Sequence, residues 1–362
     1  MLLPSLKATD NYLAIVSNEF PRLLQRVDIH ALLKATPEDF QVDEVLGFSP
    51  AGSGSHCLLQ IEKVDRNTAD VARELACCLF LSLREIGYCG LKDRRARTRQ
   101  WFSVPASALT GTKAVPAGAG WLVLQKVRHA RKLRRGSHRA NCFSIRLHGF
   151  TGSASALEQR VAQVTKTGFP NYFGEQRFGT ERANIGKARL LLAAKAASGK
   201  TRFREPRAGL LLSAARSWLF NQVLARRLQD DTWNTPLPCD LMMLDGSRAF
   251  FETAADDPAL PGRLARHDIH VSGPLWGQLA DAPLPAWQRE REWLSAESQL
   301  CTNLERCGVA PGRRALRARA EELTVDWSEP AAPRLGFTLA RGSYATVLVH
   351  ELVDTNAAPR VD

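Results

Sequence analysis

Alternating apolar and polar residues predict that the first part of the chain is rich in β-strands. The alternation has the two-residue period of a strand, whose successive side chains point to opposite faces. The segments with this pattern are residues 40–46, 57–63, 101–104, 121–127 and 141–147. In the last segment Phe143, Ile145 and Leu147 share one face, so Phe143 is a candidate core residue.

Other segments carry apolar residues at the three- and four-residue spacing of a helix. The first predicted helix begins at Asn67 or Thr68, with a polar N-cap candidate, and ends at Gly87. Its apolar face consists of Val71, Leu75, Leu79 and Leu83. Further helices are predicted over residues 154–167, where Gly168 ends the helix, and over residues 184–197, 209–229 and 287–307.

The remaining segments complete a mixed order of elements. Short strand-like pieces lie near Leu241 and Phe250, within a stretch that is richer in Pro and Gly. Residues 334–352 contain two strand-like runs on either side of a turn at Arg341-Gly342-Ser343. This order predicts an α+β fold and not a repeated βαβ fold.

Composition places the chain among ordinary globular proteins long enough for two domains. It has 362 residues, of which 44% are hydrophobic and 24% charged. The sequence contains no run of about 18 apolar residues that could span a membrane. It also lacks a secretion signal at the N-terminus, and its eight cysteines lack zinc-site spacing. We therefore expect a cytoplasmic protein with reduced thiols.

The charge distribution indicates a nucleic-acid partner. The net charge is +12, and residues 94–157 contain 13 Lys or Arg among 64 residues with no Asp or Glu. The most basic segment, residues 126–139, shows little of the apolar periodicity that a membrane-binding helix needs. Phosphate backbones are the commonest partner of such a surface.

Asp93 is the last carboxylate before this basic stretch. It lies in the string Gly90-Leu91-Lys92-Asp93, with arginines at positions 94, 95, 97 and 99. Neighbouring cations favour the ionised form of a carboxyl group. Asp93 is therefore either a salt-bridge partner or the chemical centre of an enzyme that acts on nucleic acid.

Several reaction classes lack support in the sequence. Metal-dependent phosphoryl chemistry needs converging carboxylates, whereas Asp39, Asp43 and Glu44 have the spacing of solvent-facing strand residues. The P-loop and Gly-x-Ser-x-Gly motifs are absent. Glycosidases use a pair of carboxylates, and only Asp93 stands out here.

A lone ionised aspartate suits a role as nucleophile or charge stabiliser at an electron-poor carbon, followed by its own release. In a stacked nucleic acid that carbon becomes accessible only when the nucleotide is flipped out. The flipped base needs an aromatic platform and an amide that reads its edge. We expect Phe143 and Asn141, on opposite faces of their strand, to divide these tasks, with a core role for Phe143 as the alternative.

These motifs resemble the tRNA pseudouridine synthase D (TruD) family along nearly the whole chain. The resemblance rests on six strings: Leu33-Lys34-Ala35-Thr36-Pro37-Glu38-Asp39-Phe40, Gly90-Leu91-Lys92-Asp93 with Thr98 and Gln100-Trp101, Asn141-Cys142-Phe143, Pro170-Asn171-Tyr172-Phe173-Gly174-Glu175-Gln176-Arg177-Phe178-Gly179, Leu212-Ser213-Ala214-Ala215-Arg216-Ser217, and Gly342-Ser343-Tyr344-Ala345-Thr346. The second and fourth strings together are highly specific. The chain departs from the family at His350, where members often carry Arg.

The resemblance implies isomerisation of uridine 13 in the tRNA D-arm to pseudouridine, without metal or cofactor. It implies that Asp93 is the catalytic aspartate and that Phe143 stacks on the base. Asn141, Phe40 and Tyr344 would contact the substrate. We also expect Lys34 and Lys92 to bind the substrate, and one of them to keep Asp93 ionised. It further implies a pseudouridine-synthase domain with a mixed or antiparallel sheet, formed by residues 1–167 and 319–362 and interrupted by an α/β insertion (TRUD) domain at 168–318.

We therefore expect tRNA as the partner, with no membrane, no obligate protein partner and a monomeric state. Two other functions remain open. A non-catalytic RNA-binding or ribosome-assembly protein would use the basic surface alone, and replacement of Asp93 would leave it unaffected. A base-excising glycosylase would release free uracil.

Overall fold

The computed structural model describes residues 20–25, 28–110, 116–199, 201, 203, 207–253 and 257–355, and it confirms the α+β class. Its strands, numbered in chain order, are β1 His30–Leu32, β2 Phe40–Leu46, β3 His56–Val64, β4 Gly87–Tyr88, β5 Arg97–Pro105, β6 Ala117–Gly118, β7 Trp121–His129, β8 His138–Arg146, β9 His148–Thr151, β10 Phe169–Pro170, β11 Leu241–Leu244, β12 Phe250–Glu252, β13 Ile269–Leu275, β14 Gly312–Ala315, β15 Arg317–Ala318, β16 Ala320–Asp326 and β17 Arg334–Ala340. Its α-helices are α1 Thr68–Cys78, α2 Ala154–Thr167, α3 Ala183–Ser198, α4 Ala208–Gln229, α5 Leu260–Ala265, α6 Pro285–Trp293, α7 Ser298–Arg306 and α8 Ala345–Leu352. None of the helices in these ranges is long and apolar enough to cross a membrane.

The chain divides into two compact units. The described residues of one unit come from Met1–Gln25, Phe169–Ala318 and Thr346–Glu351. Those of the other come from Arg26–Gly168, Arg319–Ala345 and Leu352–Asp362. The assignment of residues 168–318 as a family-specific insertion stays a prediction.

The first unit has its own helical core and a small sheet. Four antiparallel strands run in the order β12-β11-β13-β14. Helices α3, α4 and α7 pack around a buried cluster that includes Leu192, Leu219, Trp276 and Leu304. Burial of such apolar side chains is the main stabilising term for this unit.

The second unit is built on a nine-stranded mixed sheet. The strand order is β16-β17-β8-β2-β5-β3-β7-β6, with β4 paired to β5 off this path. All neighbours are antiparallel except β2 and β5. Helix α1 covers one face, where Val71 and Leu75 pack with Ile61 and Phe102 in a fully buried cluster. These strands confirm the five predicted in this part of the chain.

The strand register decides which side chains share the face that α1 covers. Phe143 pairs with Val42 on one side and with Phe337 on the other, and Asn141 pairs with Glu44. The expectation that Asn141 and Phe143 lie on opposite faces is wrong. They are two residues apart in a regular strand, so their side chains point the same way.

The first helix ends earlier than predicted. Helix α1 stops at Cys78, and Gly87 belongs to β4. The Leu81 amide donates to the Ala76 carbonyl, and Phe80 takes a left-handed conformation (φ 53°). This is a glycine-type C-terminal cap formed without glycine, so no glycine marks the end of the helix.

Two predictions near the C-terminus also need correction. The predicted helix 287–307 is two helices, α6 and α7, separated by a 3₁₀ turn at Ser295–Glu297. The second strand-like run within residues 334–352 is helix α8. Its buried Ala345, Leu348, Val349 and Leu352 have helical spacing, and a short apolar run does not distinguish a strand from a helix.

Candidate active site

Asp93 lies in the loop between β4 and β5, within the second unit. Its Oδ2 accepts a hydrogen bond from Lys34 Nζ at 2.7 Å. The Asp93 side chain is 33% exposed and that of Lys34 is 21% exposed. The structure thus pairs a partly exposed carboxylate with the Lys34 ammonium.

Lys34 reaches Asp93 from an unfavourable backbone conformation. Its φ of 58° is left-handed, which costs a residue with a Cβ atom roughly 1–2 kcal/mol. Its Nζ also lies 4.1 Å from the centroid of the Phe40 ring, close enough for a cation–π interaction. Backbone strain of this kind concentrates where function fixes a side chain.

Three aromatic rings meet beside this pair. Phe143 stacks on Phe337, with centroids 5.2 Å apart and planes 22° apart. Phe40 meets Phe143 edge-on at 6.0 Å. Phe40 and Phe337 are only 2% and 4% exposed, whereas Phe143 is partly exposed. Phe143 therefore presents aromatic surface, and the other two rings support it.

Lys92, the neighbour of Asp93, has different partners. Its Nζ donates to Glu44 Oε2 at 2.6 Å and to Asn141 Oδ1 at 2.8 Å. The Lys92 and Glu44 side chains are 6% and 0% exposed. The other Glu44 oxygen accepts from the Trp101 amide at 3.1 Å, beyond the last pairing of β2 with β5. A buried network therefore holds both Lys92 and Asn141.

The expectation that Asp39 and Glu44 face solvent is wrong. Asp39 is 2% exposed, and its carboxylate accepts from the Thr36 amide at 2.8 Å. Glu44 is buried because Lys92 neutralises it. Asp43 is exposed, as predicted, and lies 3.6 Å from Arg99. The prediction failed for Asp39 and Glu44 because a carboxylate can be buried when it has a partner, and the spacing of residues in the sequence does not reveal that partner.

Lys63 is a further contact of Asp93 that the sequence analysis missed. The Lys63 side chain is fully buried, and its Nζ donates to the Asp93 backbone carbonyl at 2.8 Å. Burial lowers the pKa of this ammonium from 10.5 to about 8. Lys63 follows Leu59 and Ile61 at two-residue spacing on the covered face of β3. The two-residue spacing of Lys63 from these core residues is the sequence signal that could have identified it as a buried lysine.

The Gly90–Asp93 loop is also fixed through Thr68 at the start of α1. The Thr68 hydroxyl accepts from the Lys92 amide at 3.0 Å and donates to Gln100 Oε1 at 2.8 Å. Thr68 and Gln100 are buried. Conformations of residues 92 and 93 are thus set by side chains from β3, β5 and α1.

The arginines that follow Asp93 fall into two pairs. Arg97 and Arg99 bind Glu62 at 3.0 and 2.9 Å. Burial alone would raise the pKa of Glu62, but these hydrogen bonds lower it. Arg94 and Arg95 are exposed, with Arg95 donating to the Ala35 carbonyl at 2.7 Å. The latter pair is the more accessible to phosphate.

Tyr344 and His350 lie near the C-terminal end of the described chain. Tyr344 is partly buried in the turn between β17 and α8, after Ala340, which pairs with Ala140. His350 lies on α8 in the other unit, with Nδ1 3.1 Å from an Arg22 nitrogen. The substrate-binding role of Tyr344 stays a prediction.

One cluster in the described residues has metal-ligating side chains. Ligand atoms of Glu44, Cys89 and His138 lie within 4.8 Å of one another. However, Lys92 already neutralises Glu44. Burial and the neighbouring Glu44 raise the pKa of the Cys89 thiol to about 11. A protonated thiol and an occupied carboxylate are a poor donor set for a cation.

Comparison with known proteins identifies the family of the chain. The family model for tRNA pseudouridine synthase D (TruD) matches residues 22–197 and 188–352. A tRNA pseudouridine synthase D from Ectopseudomonas mendocina is 43% identical over 341 residues, covering 92% of this chain and 94% of the relative. One from Methylococcus capsulatus is 41% identical over 344 residues, with 93% and 95% covered. The crystal structure of a putative tRNA pseudouridine synthase D from Methanosarcina mazei shares the fold, with a TM-score of 0.69, 19% identity and 98% of both chains covered. The chain belongs to the tRNA pseudouridine synthase D family.

Proposed function

We propose that this protein isomerises uridine 13 of the tRNA D-arm to pseudouridine, with Asp93 as the nucleophile. The observation that carries the proposal is the Lys34–Asp93 pair beside the partly exposed ring of Phe143. The relatives' names supply the substrate class and the reaction. Position 13 comes from the family resemblance.

The reaction breaks the N1–C1′ bond of uridine and forms a C5–C1′ bond. Asp93 attacks the nucleotide as N1 leaves, the freed uracil rotates, and C5 then bonds to C1′ and releases the carboxylate. C5 loses a proton, N1 gains one, and substrate and product are isomers. The chemistry therefore requires no oxidant, reductant or metal, and we propose that no cofactor takes part. Water must be excluded while the base is detached, because hydrolysis would leave an abasic site.

The neighbouring side chains take separate roles in this scheme. Lys34 directs the Asp93 carboxylate by its hydrogen bond and offsets its negative charge. The flipped uracil stacks on Phe143, whose far face is supported by Phe337. Asn141 lies on the same face as Phe143, and its Oδ1 accepts from Lys92. Its amide NH₂ is thereby directed elsewhere and is available to a carbonyl of the base.

The tRNA is held mainly through its phosphates. Arg94 and Arg95 are exposed next to Asp93, and the net charge of +12 attracts the polyanion. Such contacts orient the substrate, whereas the pocket selects the base. We propose that the protein acts as a monomer in the cytoplasm without an obligate protein partner.

A position-specific assay tests the proposal. Purified protein is incubated with two transcripts of one tRNA, with uridine or cytidine at position 13, and pseudouridine is mapped by carbodiimide modification and primer extension. We expect one new stop at position 13 in the first transcript and none in the second. Modification at another position would refute the assignment of position 13. Release of free uracil would identify a glycosylase, and binding without modification would identify an RNA-binding protein.

A further inference from the structure

Lys63 holds Asp93 by its backbone, whereas Lys34 holds it by its carboxylate. Lys63 Nζ lies 2.8 Å from the Asp93 carbonyl oxygen, and Lys34 Nζ lies 2.7 Å from Oδ2. Lys34 belongs to an irregular segment. Lys63 lies near the end of β3, where it pairs with Thr98 of β5. The sheet thus provides Asp93 with a rigid anchor that is separate from its charge partner.

We propose that Lys63 is a positioning residue for catalysis: it fixes the Asp93 peptide so that the carboxylate is presented to the substrate. This inference rests on the proposed function. Lys63 touches no atom of the carboxylate and is fully buried. It therefore acts through Asp93 and does not contact the nucleotide.

The location of Lys63 is costly for folding, which supports a functional reason for it. The two preceding residues on the same strand face, Leu59 and Ile61, are fully buried core residues. An apolar residue at position 63 would extend that core, whereas a buried ammonium loses its hydration. The nearby carboxylates of Asp93 and Asp65 favour the charged form and Lys92 disfavours it, but burial is the larger effect.

A pH dependence follows from the same contact. Lys63 binds a proton more weakly in the folded protein than in the unfolded chain, so its charge opposes folding below about pH 8. This penalty is relieved as the pH rises from about 8 towards 10.5. As the pH rises above about 8 the ammonium loses its proton, and its hydrogen bond to the Asp93 carbonyl weakens. Activity should fall over the range in which stability rises.

Lys63→Met tests the inference, because methionine keeps the unbranched stem and removes the donor. With uridine-13 tRNA, we expect kcat to fall at least tenfold while KM and tRNA affinity stay within about twofold. The melting temperature at pH 7 should be equal to or above that of the wild type, and the gain should be smaller at pH 9.5. The decline in wild-type kcat above pH 8 should be absent from the variant. Lys187→Met, at an exposed site on α3, controls for loss of a positive charge.

The inference falls if Lys63→Met keeps kcat within twofold of the wild type. It also falls if the melting temperature drops by more than about 5 °C, because the residue is then structural. A rise in KM with unchanged kcat would assign Lys63 to substrate binding and overturn the positioning role. A wild type that modifies no tRNA would instead contradict the proposed function.

Discussion

Lys92 and Glu44 form a buried ion pair one residue before the accessible Asp93. Their Nζ and Oε2 atoms are 2.6 Å apart, with 6% and 0% of the side chains exposed. Asp93 takes its own partners, Lys34 and Lys63. Consecutive residues therefore have distinct functions: Lys92 anchors the loop to β2 and β8, and Asp93 presents a carboxylate.

Glu44→Gln should destabilise the protein by about 3 kcal/mol, because it leaves the Lys92 ammonium buried without a counter-charge. Urea unfolding measures this change. Glu329→Gln removes a partner of Arg146 at a pair whose side chains are 56% and 30% exposed, and should cost less than about 1 kcal/mol. Equal losses in the two variants would show that the Glu44 pair is not effectively buried.

Replacement of Lys34 should separate strain from function. Both Lys34→Gly and Lys34→Met should lower kcat roughly 100-fold, since the Asp93 carboxylate loses the one ion pair that it forms among the described residues. Lys34→Gly should be more stable than Lys34→Met by roughly 1 kcal/mol, because glycine accepts a φ of 58°. Tritium release from uridine-labelled tRNA and urea unfolding measure the two effects. A methionine variant as stable as the glycine variant would contradict the strain at position 34.

Phe143 should require an aromatic ring and not merely apolar volume. Phe143→Leu should lower kcat/KM at least tenfold, because base–aromatic stacking contributes about 1–3 kcal/mol. Phe143→Tyr keeps the ring and should remain within a few-fold of the wild type. Phe337→Leu serves as the control: it removes the support behind Phe143 and should reduce stability more than activity. Similar kcat/KM values for the leucine and tyrosine variants at position 143 would contradict stacking.

His138 should make stability depend on pH in the acidic range. Burial, and next the charge of Lys92, lower the pKa of His138 below 6.5. In acid the unfolded chain binds this proton more readily than the folded protein, so stability falls as the pH drops below about 6.5. The loss in unfolding free energy between pH 7.5 and pH 5.5 should be smaller for His138→Gln than for the wild type. An equal or larger loss in the variant would rule out this contribution.

Much of the larger sheet was predictable because its strands alternate regularly. Residues 40–46 and 154–167 match β2 and α2 in type and extent. The helix end at Phe80 was not predictable, since phenylalanine rarely takes the left-handed conformation that ends α1. Helix α8 was missed because its apolar run fits both periods over a few residues.

The candidate site was likewise predictable only in part. The motifs identified Asp93, Lys34 and Phe143, and the structure brings them together. The sequence did not reveal that Lys92 turns to Glu44, because these residues meet only through the pairing of distant strands. Lys63 was overlooked for the same reason, although its place in line with Ile61 marks it as buried.

The central claim is that Asp93 performs the chemistry, and Asp93→Asn tests it most directly. Tritium release from tRNA labelled at uridine C5 is measured together with tRNA affinity. Asp43→Asn is the matched control, because Asp43 also lies beside a cation, Arg99, but is exposed on the face of β2 opposite to that of Glu44. We expect Asp93→Asn to lower the rate by about 10³-fold or more, with affinity within a few-fold of the wild type and the control fully active. A rate for Asp93→Asn above one-tenth of the wild-type rate would contradict the assignment of Asp93 as the nucleophile.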